Sequence, residues 1–207
     1  MHIALIGATG NAGSRILSEL VRRDHSVTAI ARDVTRVPLS SNVKAKSGDA
    51  QDEATLAALL TGHDAVISSI PFAFSDPAKL ISAVQAAHVP RYLVVGGAGS
   101  LEIAVGALPL GLNLIDAPNF PEAYKHEAAA GCTFLDLLKK ETKLDWTFLS
   151  PSAMFVAGER TGKFRLGTNL LLQNEQGSSI SFEDYAVALV DELENPKHSH
   201  KHFTVGY

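Results

Sequence analysis

The residues best suited to binding chemistry stand near the beginning of the sequence, where Gly7, Gly10 and Gly13 recur at a regular interval. Residues 3–6 form an apolar run that predicts a short buried strand, and residues 14–21 carry apolar side chains at helical spacing. A strand, a glycine-rich turn and a helix in this order are typical of a dinucleotide-binding turn. We expect Gly7 to allow a sharp turn, Gly10 to let the backbone approach a pyrophosphate, and Gly13 to let the helix pack close to the strand.

The helix that follows this turn adds to its anion-binding character. Its first N–H groups have no partner within the helix, and the positive end of its dipole points toward the same place. Thr9 and Asn11 can add side-chain hydrogen bonds. Glycine triplets also occur in turns that bind nothing, but the position between a clear strand and a clear helix favours a ligand. The predicted cofactor contacts in this turn are Gly7, Thr9, Gly10, Asn11, Ala12 and Gly13.

The choice between NAD and NADP depends on the end of the second predicted strand, residues 26–31. This end lies about 20 residues beyond the glycines, where the fold contacts the adenosine ribose. An NAD site carries Asp or Glu here, whereas this sequence has Ala31 followed by Arg32. A guanidinium can hold the extra phosphate of NADP, and Arg36 is near enough in sequence to assist. The alternative is a solvated Arg32 paired with Asp33; we expect NADP to be preferred over NAD.

Strands and helices alternate through the middle of the sequence. Further strands are predicted at residues 43–47, 64–70, 91–96 and 145–149, and helices at 53–60, 79–88 and about 121–141. The pattern predicts an α/β protein, a Rossmann-type doubly wound parallel sheet, in one domain over residues 1–207.

Ligands of such a sheet bind outside the carboxyl ends of its strands. Asp49 ends the third strand and can accept from the adenine amino group; either Asp49 or Asp52 can also cap the next helix. The residues predicted to contact the cofactor at these strand ends are Asp49, Ala50, Ser69, Ile70, Pro71, Gly97, Pro151 and Ser152.

Two irregular regions are expected on the substrate side, about residues 98–120 and 153–181. The apolar stretch 101–120 reads as a lid or binding loop, or alternatively as an ordinary loop packed on the body. The glycine-rich second region holds strand candidates at 163–166 and 179–181 and could close over the nicotinamide. Ser181 begins a capping box that opens a final helix, residues 185–193, and residues 201–205 are predicted as an edge strand.

Composition narrows the function classes. The chain has 207 residues, a net charge of −4 and one cysteine. This charge gives no basic footprint for nucleic acid, and Cys132, expected to be a packing residue, has no partner for an intrachain disulfide. No apolar run reaches the ~20 residues that span a membrane, and the first strand begins too early for a signal peptide. We expect a cytoplasmic protein, a monomer or homodimer, that contacts neither membrane nor nucleic acid.

The chain as a whole resembles the atypical short-chain dehydrogenase/reductase superfamily. More narrowly, it resembles the NAD(P)H-binding group named for NADH-flavin reductases, which are relatives of flavin/biliverdin reductases. The motifs that carry the resemblance are GATGNAG at 7–13, ARD at 31–33, GDA at 48–50, DWTFLSPSAMF at 145–155, GERTGKFRLG at 158–167, SFEDYAVALVDELE at 181–194 and the closing HFTVGY. The resemblance implies a flavin, as substrate and not as tightly bound cofactor, or a similar planar acceptor such as a quinone.

Well-known members of that superfamily reduce carbonyls with a Tyr-x-x-x-Lys pair, in which tyrosine donates the proton. Here Ala128 follows Tyr124 at that spacing, and the usual positions of the pair fall near Glu127 and Gly131. We therefore expect the pair to be absent. A flavin accepts hydride at a ring nitrogen, so that positioning two flat rings and excluding water are the main requirements.

No catalytic residue is assigned with this interpretation. Tyr124, Lys125 and His126 are candidates for steering or protonation, and the alternative is a solvated first turn of helix. His198, His200 and His202 alternate near the C-terminus, but a solvated loop is favoured over a metal site.

The first hypothesis for the function is an NAD(P)H-dependent reductase of a planar acceptor. The second is a binding protein that resembles the NmrA-like redox sensors, and an epimerase or dehydratase ranks third.

Overall fold

Most strands of the protein form one large sheet in the computed structural model, which describes residues 1–38, 40–105 and 108–207. The strands of this sheet are β1 (His2–Ile6), β2 (Ser26–Ala31), β3 (Val43–Ser47), β4 (Ala65–Ser68), β5 (Arg91–Val95), β8 (Asp145–Pro151), β10 (Arg165–Gly167) and β12 (Lys201–Gly206). Two small two-stranded sheets pair β6 (Glu102–Val105) with β7 (Leu108–Asn113), and β9 (Met154–Val156) with β11 (Ser179–Ser181).

The order of the large sheet is β10-β12-β8-β5-β4-β1-β2-β3, and every pair is parallel except β10 with β12. β1 pairs with β2 on one side and with β4 on the other. The chain therefore reverses its direction of travel across the sheet between β1 and β4. This switch point is where open α/β sheets bind ligands. The predicted Rossmann-type doubly wound fold is confirmed.

Helices cover both faces of the sheet. They are α1 (Asn11–Arg22), α2 (Glu53–Leu60), α3 (Pro77–Ala86), α4 (Glu122–Lys140) and α5 (Phe182–Glu194). Ile3 and Leu5 pack with α1 and α5 on one face, whereas Ala4 and Ile6 pack with α2, α3 and α4 on the other. Because both faces are buried, β1 is apolar without alternation. None of the helices in the described ranges is long and apolar enough to cross a membrane.

Three expectations about element boundaries need correction. The stretch 101–120 is not irregular throughout, since β6 and β7 form a hairpin and a 3-10 helix follows at Leu114–Asp116; residues 106 and 107 lie outside the described part. β12 is not an edge strand, because β10 pairs beyond it. α5 begins at Phe182, three residues earlier than expected, because Ser181 is its N-cap.

The capping box at the start of α5 is only half formed. The hydroxyl of Ser181 accepts from the N–H of Asp184 at 2.9 Å. The carboxylate of Asp184 does not return to the Ser181 backbone. It instead accepts from the Gly162 N–H at 2.8 Å and from the hydroxyls of Thr161 and Tyr207. Asp184 therefore fastens the glycine-rich segment before β10 and the C-terminal residue to the start of α5.

Candidate functional site

The glycine-rich turn between β1 and α1 has the geometry that its sequence predicts. Gly7 has a φ of +82°, and a Cβ there would lie 2.2 Å from the carbonyl oxygen of Ser69. A Cβ on Gly13 would lie 2.1 Å from the carbonyl oxygen of Gly7. No side chain fits at either position, so the sharp turn at Gly7 and the close helix packing at Gly13 are confirmed.

The N-terminus of α1 is open toward a cleft. Its N-cap, Gly10, has no side chain to cap the first N–H groups, and in an α-helix those groups have no partner within the helix. A Cβ on Gly10 would meet no atom closer than 3.4 Å, so the space in front of this residue is free. An open space that faces unpartnered N–H groups fits the pyrophosphate of a dinucleotide.

A cleft of about 410 Å³ lies at the carboxyl ends of β1, β2, β3 and β4. It brings together ten of the predicted cofactor contacts: Gly7, Thr9, Gly10, Arg32, Arg36, Asp49, Ala50, Ser69, Ile70 and Pro71. Asn11, Ala12 and Gly13 do not line it: the Ala12 side chain is buried in the core, and Asn11 is exposed at the first turn of α1. The sequence did not point to Gln51 and Phe74, which also line the cleft and are joined by a hydrogen bond of 2.8 Å from the Gln51 amide to the Phe74 carbonyl oxygen.

The two arginines of the cleft form no ion pair with a described residue. Arg36 donates to the carbonyl oxygen of Thr9 at 3.3 Å and so lies over the glycine-rich turn. The predicted alternative, a pairing of Arg32 with Asp33, is not formed: Asp33 accepts from the N–H of Thr35 at 3.0 Å and from its hydroxyl. These hydrogen bonds hold the pKa of Asp33 below its usual range.

The two aspartates near β3 have different roles. Asp52 is the N-cap of α2 and accepts from the N–H of Thr55 at 3.2 Å. Asp49 accepts from the N–H of Gln51 at 2.9 Å and lines the cleft. Of the two residues proposed as the cap, Asp52 is therefore the one, and Asp49 remains available to a ligand.

A second, larger cavity of about 550 Å³ lies at the carboxyl ends of β5 and β8. Its wall is mainly apolar and contains three predicted cofactor contacts, Gly97, Pro151 and Ser152. The rest of the wall is formed by Phe72, Gly96, Ala98, Gly99, Ser100, Leu114, Asn119, Phe120, Pro121, Tyr124, Glu127, Ala128, Gly131, Cys132, Ala153, Met154, Phe155 and Val156. Cys132 is half-buried in α4 and contributes to this wall, so it is not only a packing residue.

One short segment joins the cleft to the larger cavity. Pro71 and the 3-10 helix Phe72–Phe74 follow β4. Pro71 and Phe74 line the cleft, and the Phe72 ring lines the larger cavity. A substitution in this segment therefore alters the walls of both the cleft and the larger cavity.

Glu127 and Gly131, on one face of α4, hold that segment. The carboxylate of Glu127 accepts from the N–H of Phe72 at 2.7 Å and from the N–H of Ala73 at 2.8 Å. A Cβ on Gly131 would lie 2.9 Å from the Phe72 ring. That ring stacks on Phe148, with centroids 5.9 Å apart, and packs edge-on against Phe134. The two positions expected for a tyrosine and lysine pair, Glu127 and Gly131, thus fix the Phe72 ring, which forms one wall of the larger cavity.

The three polar residues at the start of α4 differ in their access to the larger cavity. Tyr124 lines the cavity and is 65% exposed. Lys125 pairs with Glu122 at 2.7 Å and does not belong to the wall. His126 is exposed and does not belong to it either. Among the three, only Tyr124 can meet a bound molecule in this arrangement.

The three C-terminal histidines are held by different partners. His198 contacts Glu192 at 2.8 Å, and the His200 ring packs edge-on against Trp146. In residues 1–38, 40–105 and 108–207, no cluster of side chains suited to a metal ion is formed. His202, the third, takes part in a buried hydrogen-bonded chain.

That chain links His202 to the larger cavity. The Ser150 hydroxyl has one hydrogen, which it donates to the carbonyl oxygen of Gly97 at 2.7 Å. The Nε2 of His202, 2.9 Å from the same hydroxyl, must therefore be the donor of that contact. Burial lowers the pKa of His202 to about 4. The neutral imidazole thus braces Ser150, which in turn fixes the turn at Gly97.

The segment after β8 contributes the opposite wall. Met154, Phe155 and Val156 line the larger cavity. The chain beyond them is tied to α1, because Arg160 pairs with the buried Glu19 at 2.9 Å. The N–H of Gly158 donates to Glu183, also at 2.9 Å. This part of the cavity wall is therefore anchored to the body.

Comparison with known proteins agrees with the geometry. The model of a family described as NAD(P)H-binding matches residues 7–196. The YwnB protein of Bacillus subtilis (strain 168) is 38% identical over 99% of this chain and 98% of its own length. A crystal structure from Bacteroides thetaiotaomicron, named a "putative epimerase", has a TM-score of 0.92 at 39% identity and covers 100% of this chain and 96% of that one.

A second crystal structure, from Streptococcus pneumoniae TIGR4, is named a "putative NADH-flavin reductase". It has a TM-score of 0.81 at 38% identity and covers 100% of this chain and 99% of that one. The two names assign different reactions to one architecture, so likeness alone identifies the family and not the reaction. The match over residues 7–196 shows that this chain belongs to the NAD(P)H-binding family.

Proposed function

We propose that this protein is an NADPH-dependent reductase that passes hydride directly to a flavin or a similar planar acceptor, such as a quinone. The observation that carries the proposal is the apolar cavity of about 550 Å³, floored by Phe72, at the strand ends next to the cofactor cleft. A flat ring system needs such a surface to lie parallel to a nicotinamide at reacting distance. When bound, NADPH supplies the hydride, and a proton from solvent completes reduction of the acceptor.

The residues of the chain bind the cofactor and the acceptor, orient them toward each other and exclude water from between them. In this proposal the open N-terminus of α1 and Arg36 would hold the phosphates, and Arg32 would hold the 2′-phosphate that distinguishes NADP. Asp49 would accept from adenine. Gly97, Pro151 and Ser152 line the cavity where the nicotinamide would lie, and the wide wall of Phe120 and Met154–Val156 favours a ring over a small carbonyl compound.

We infer that the acceptor side is formed by two segments, residues 98–120 and 153–181. Both supply wall to the larger cavity: Ala98–Ser100, Leu114 and Phe120 from the first, and Met154–Val156 from the second. The body of the sheet supplies the cofactor side. This division supports a single catalytic unit that needs no second domain.

The larger cavity argues against the two other functions considered, a redox sensor and an epimerase or dehydratase. A sensor of the NmrA-like type binds the cofactor without turnover and has no need of an open apolar space beside the nicotinamide. An epimerase or dehydratase needs an acid and a base at the nicotinamide. Among the described residues of the cavity wall the only tyrosine is the exposed Tyr124, and there is no lysine. Glu127 is engaged by two backbone N–H groups.

The test is NADPH oxidation by the purified protein with riboflavin as acceptor, with NADH measured in parallel. A rate above the uncatalysed reaction that saturates in both substrates, with a lower KM for NADPH than for NADH, is the expected result. Tight binding of NADPH without turnover on riboflavin or 1,4-naphthoquinone would favour the sensor instead.

A further inference from the structure

The wall of the larger cavity carries almost no charge. Of the described residues that line it, only Glu127 has a charged type of side chain, and none is Lys, Arg or His. Apart from Glu127, the polar groups available to a bound molecule are hydroxyls, an amide, a thiol and backbone groups.

Cations near the cavity are engaged with other groups. Lys125 is paired with Glu122 at 2.7 Å. Lys139 lies in the wall of a smaller adjoining cavity and is 3.4 Å from Asp136. His202 lines the same smaller cavity, but burial keeps its imidazole neutral near neutral pH. No free positive charge therefore faces a molecule in the larger cavity from the described part of the chain.

The start of α4 also borders the larger cavity but is poorly suited to anions. Its N-cap is Pro121, which has no N–H to donate. Its first turn carries Glu122, an acidic residue beside the dipole end. Neither feature favours an anion at this helix end.

The cofactor cleft shows the opposite pattern. Arg32 and Arg36 line it, and the uncapped N-terminus of α1 opens into it. The chain thus places its phosphate-binding groups at one end of the combined site and leaves the other end without any. A phosphate moved to the larger cavity would lose hydration and gain no partner.

Building on the proposed function, we infer that the acceptor is a planar molecule without a phosphate or other anionic group, so that riboflavin is a better substrate than FMN. Riboflavin and FMN carry the same redox-active ring and differ by one phosphate. A difference between them therefore reports on the wall of the cavity and not on the chemistry of hydride transfer.

The experiment compares kcat/KM for riboflavin and FMN at saturating NADPH. We expect riboflavin to be favoured by about tenfold, because a phosphate near an apolar wall and one acidic group gains no compensating contact. Met154 lines the cavity and is 59% exposed, so it can accept a longer polar side chain. Met154→Lys should raise the FMN-to-riboflavin ratio, whereas Met154→Gln, of similar length and without charge, should leave that ratio unchanged.

Equal or better use of FMN by the wild-type protein would overturn the inference and leave the reductase function standing. If FMN is preferred and Lys139→Gln abolishes that preference, the phosphate lies in the smaller cavity, and this result too overturns the inference. If neither flavin is reduced, the flavin part of the proposed function fails, and quenching of flavin fluorescence by the NADP⁺-bound protein decides the inference by itself. Tighter binding of riboflavin would support it; tighter binding of FMN, or no binding of either flavin, would overturn it.

Discussion

Gly131 lies directly against the ring of Phe72, so closely that a Cβ on the glycine would come within 2.9 Å of the ring carbon Cδ2. The ring cannot easily move away, because Phe148 stacks on it and Phe134 packs against its edge. α4 and the segment after β4 are therefore fitted together at the floor of the larger cavity. Two residues that lie 59 positions apart in the sequence thus set the position of one flat surface.

Gly131→Ala should weaken acceptor binding. Helix propensity favours alanine by about 1 kcal/mol, but overpacking against a fixed ring costs about 1–3 kcal/mol. We expect a small net loss of stability and a raised KM for riboflavin, with the Kd for NADPH changed less. The measurements are urea unfolding and steady-state kinetics. Restoration of the urea midpoint in Gly131→Ala/Phe72→Leu would confirm the steric cause; an unaffected single variant would contradict it.

Glu127→Gln should loosen the segment that joins the two cavities. An amide has one acceptor oxygen, so the N–H of either Phe72 or Ala73 loses its partner. Leaving such a group unsatisfied costs about 1–3 kcal/mol. Glu122→Gln is the matched control, since Glu122 stands on the exposed first turn of the same helix. We expect urea unfolding at lower denaturant and raised KM values for both NADPH and riboflavin in Glu127→Gln alone; equal behaviour of the two variants would exclude the role given to Glu127.

Arg32→Ala should discriminate between the two cofactors. If Arg32 holds the 2′-phosphate, its loss removes charged hydrogen bonds of about 1.5–3 kcal/mol, or roughly 10- to 100-fold in Kd. NADH lacks this phosphate, and its Kd should remain within about twofold. The exposed Lys44→Ala on β3 controls for a general loss of positive charge. Fluorescence titration of both cofactors gives the values; parallel losses for NADPH and NADH would remove Arg32 from the phosphate site.

His202 should make stability depend on pH in a defined window. The unfolded chain protonates this imidazole below about 6.5, its ordinary pKa, whereas burial lowers the folded pKa to about 4. Between these values the unfolded state binds more protons, so the free energy of unfolding falls as the pH falls from about 6.5 to 4. The loss reaches about 3 kcal/mol and is absent above this window.

His202→Gln removes this titration and keeps an N–H that can reach Ser150. As the pH falls through the window, the free energy of unfolding of the variant should therefore rise relative to that of the wild type. The exposed His126→Gln serves as the control for replacing a histidine by glutamine. A pH-independent difference for His202→Gln, measured by urea unfolding from pH 7.5 to 4.5, would mean that His202 is not held neutral by burial.

The sequence predicts the cofactor end of the site well because that end is local. Gly7, Gly10 and Gly13 stand within one turn, and the strand ends that complete the cleft follow directly from the alternation of strands and helices. The acceptor end depends on contacts between distant segments. Glu127 lies in the sequence 55 positions from Phe72, the residue whose N–H it binds, and nothing in the spacing of residues announces that bond.

Other expectations were wrong where the pattern of the sequence is weak. Residues 102–113 contain glycine and proline, which mask the alternation of a hairpin. β10 is three residues long, so its pairing outside β12 has no periodicity to reveal it. The alternative that was not favoured, a pairing of Arg32 with Asp33, is not formed because Asp33 accepts from the N–H of Thr35.

The most direct test of the central claim is a single-turnover reaction of the protein with NADPH and riboflavin, followed at the absorbance of each. The account predicts that NADPH loss and flavin reduction proceed at one rate, that this rate reaches a plateau with riboflavin, and that NADPH deuterated at the nicotinamide C4 slows it. Protein that binds NADPH but oxidises it no faster than riboflavin does alone would contradict the account.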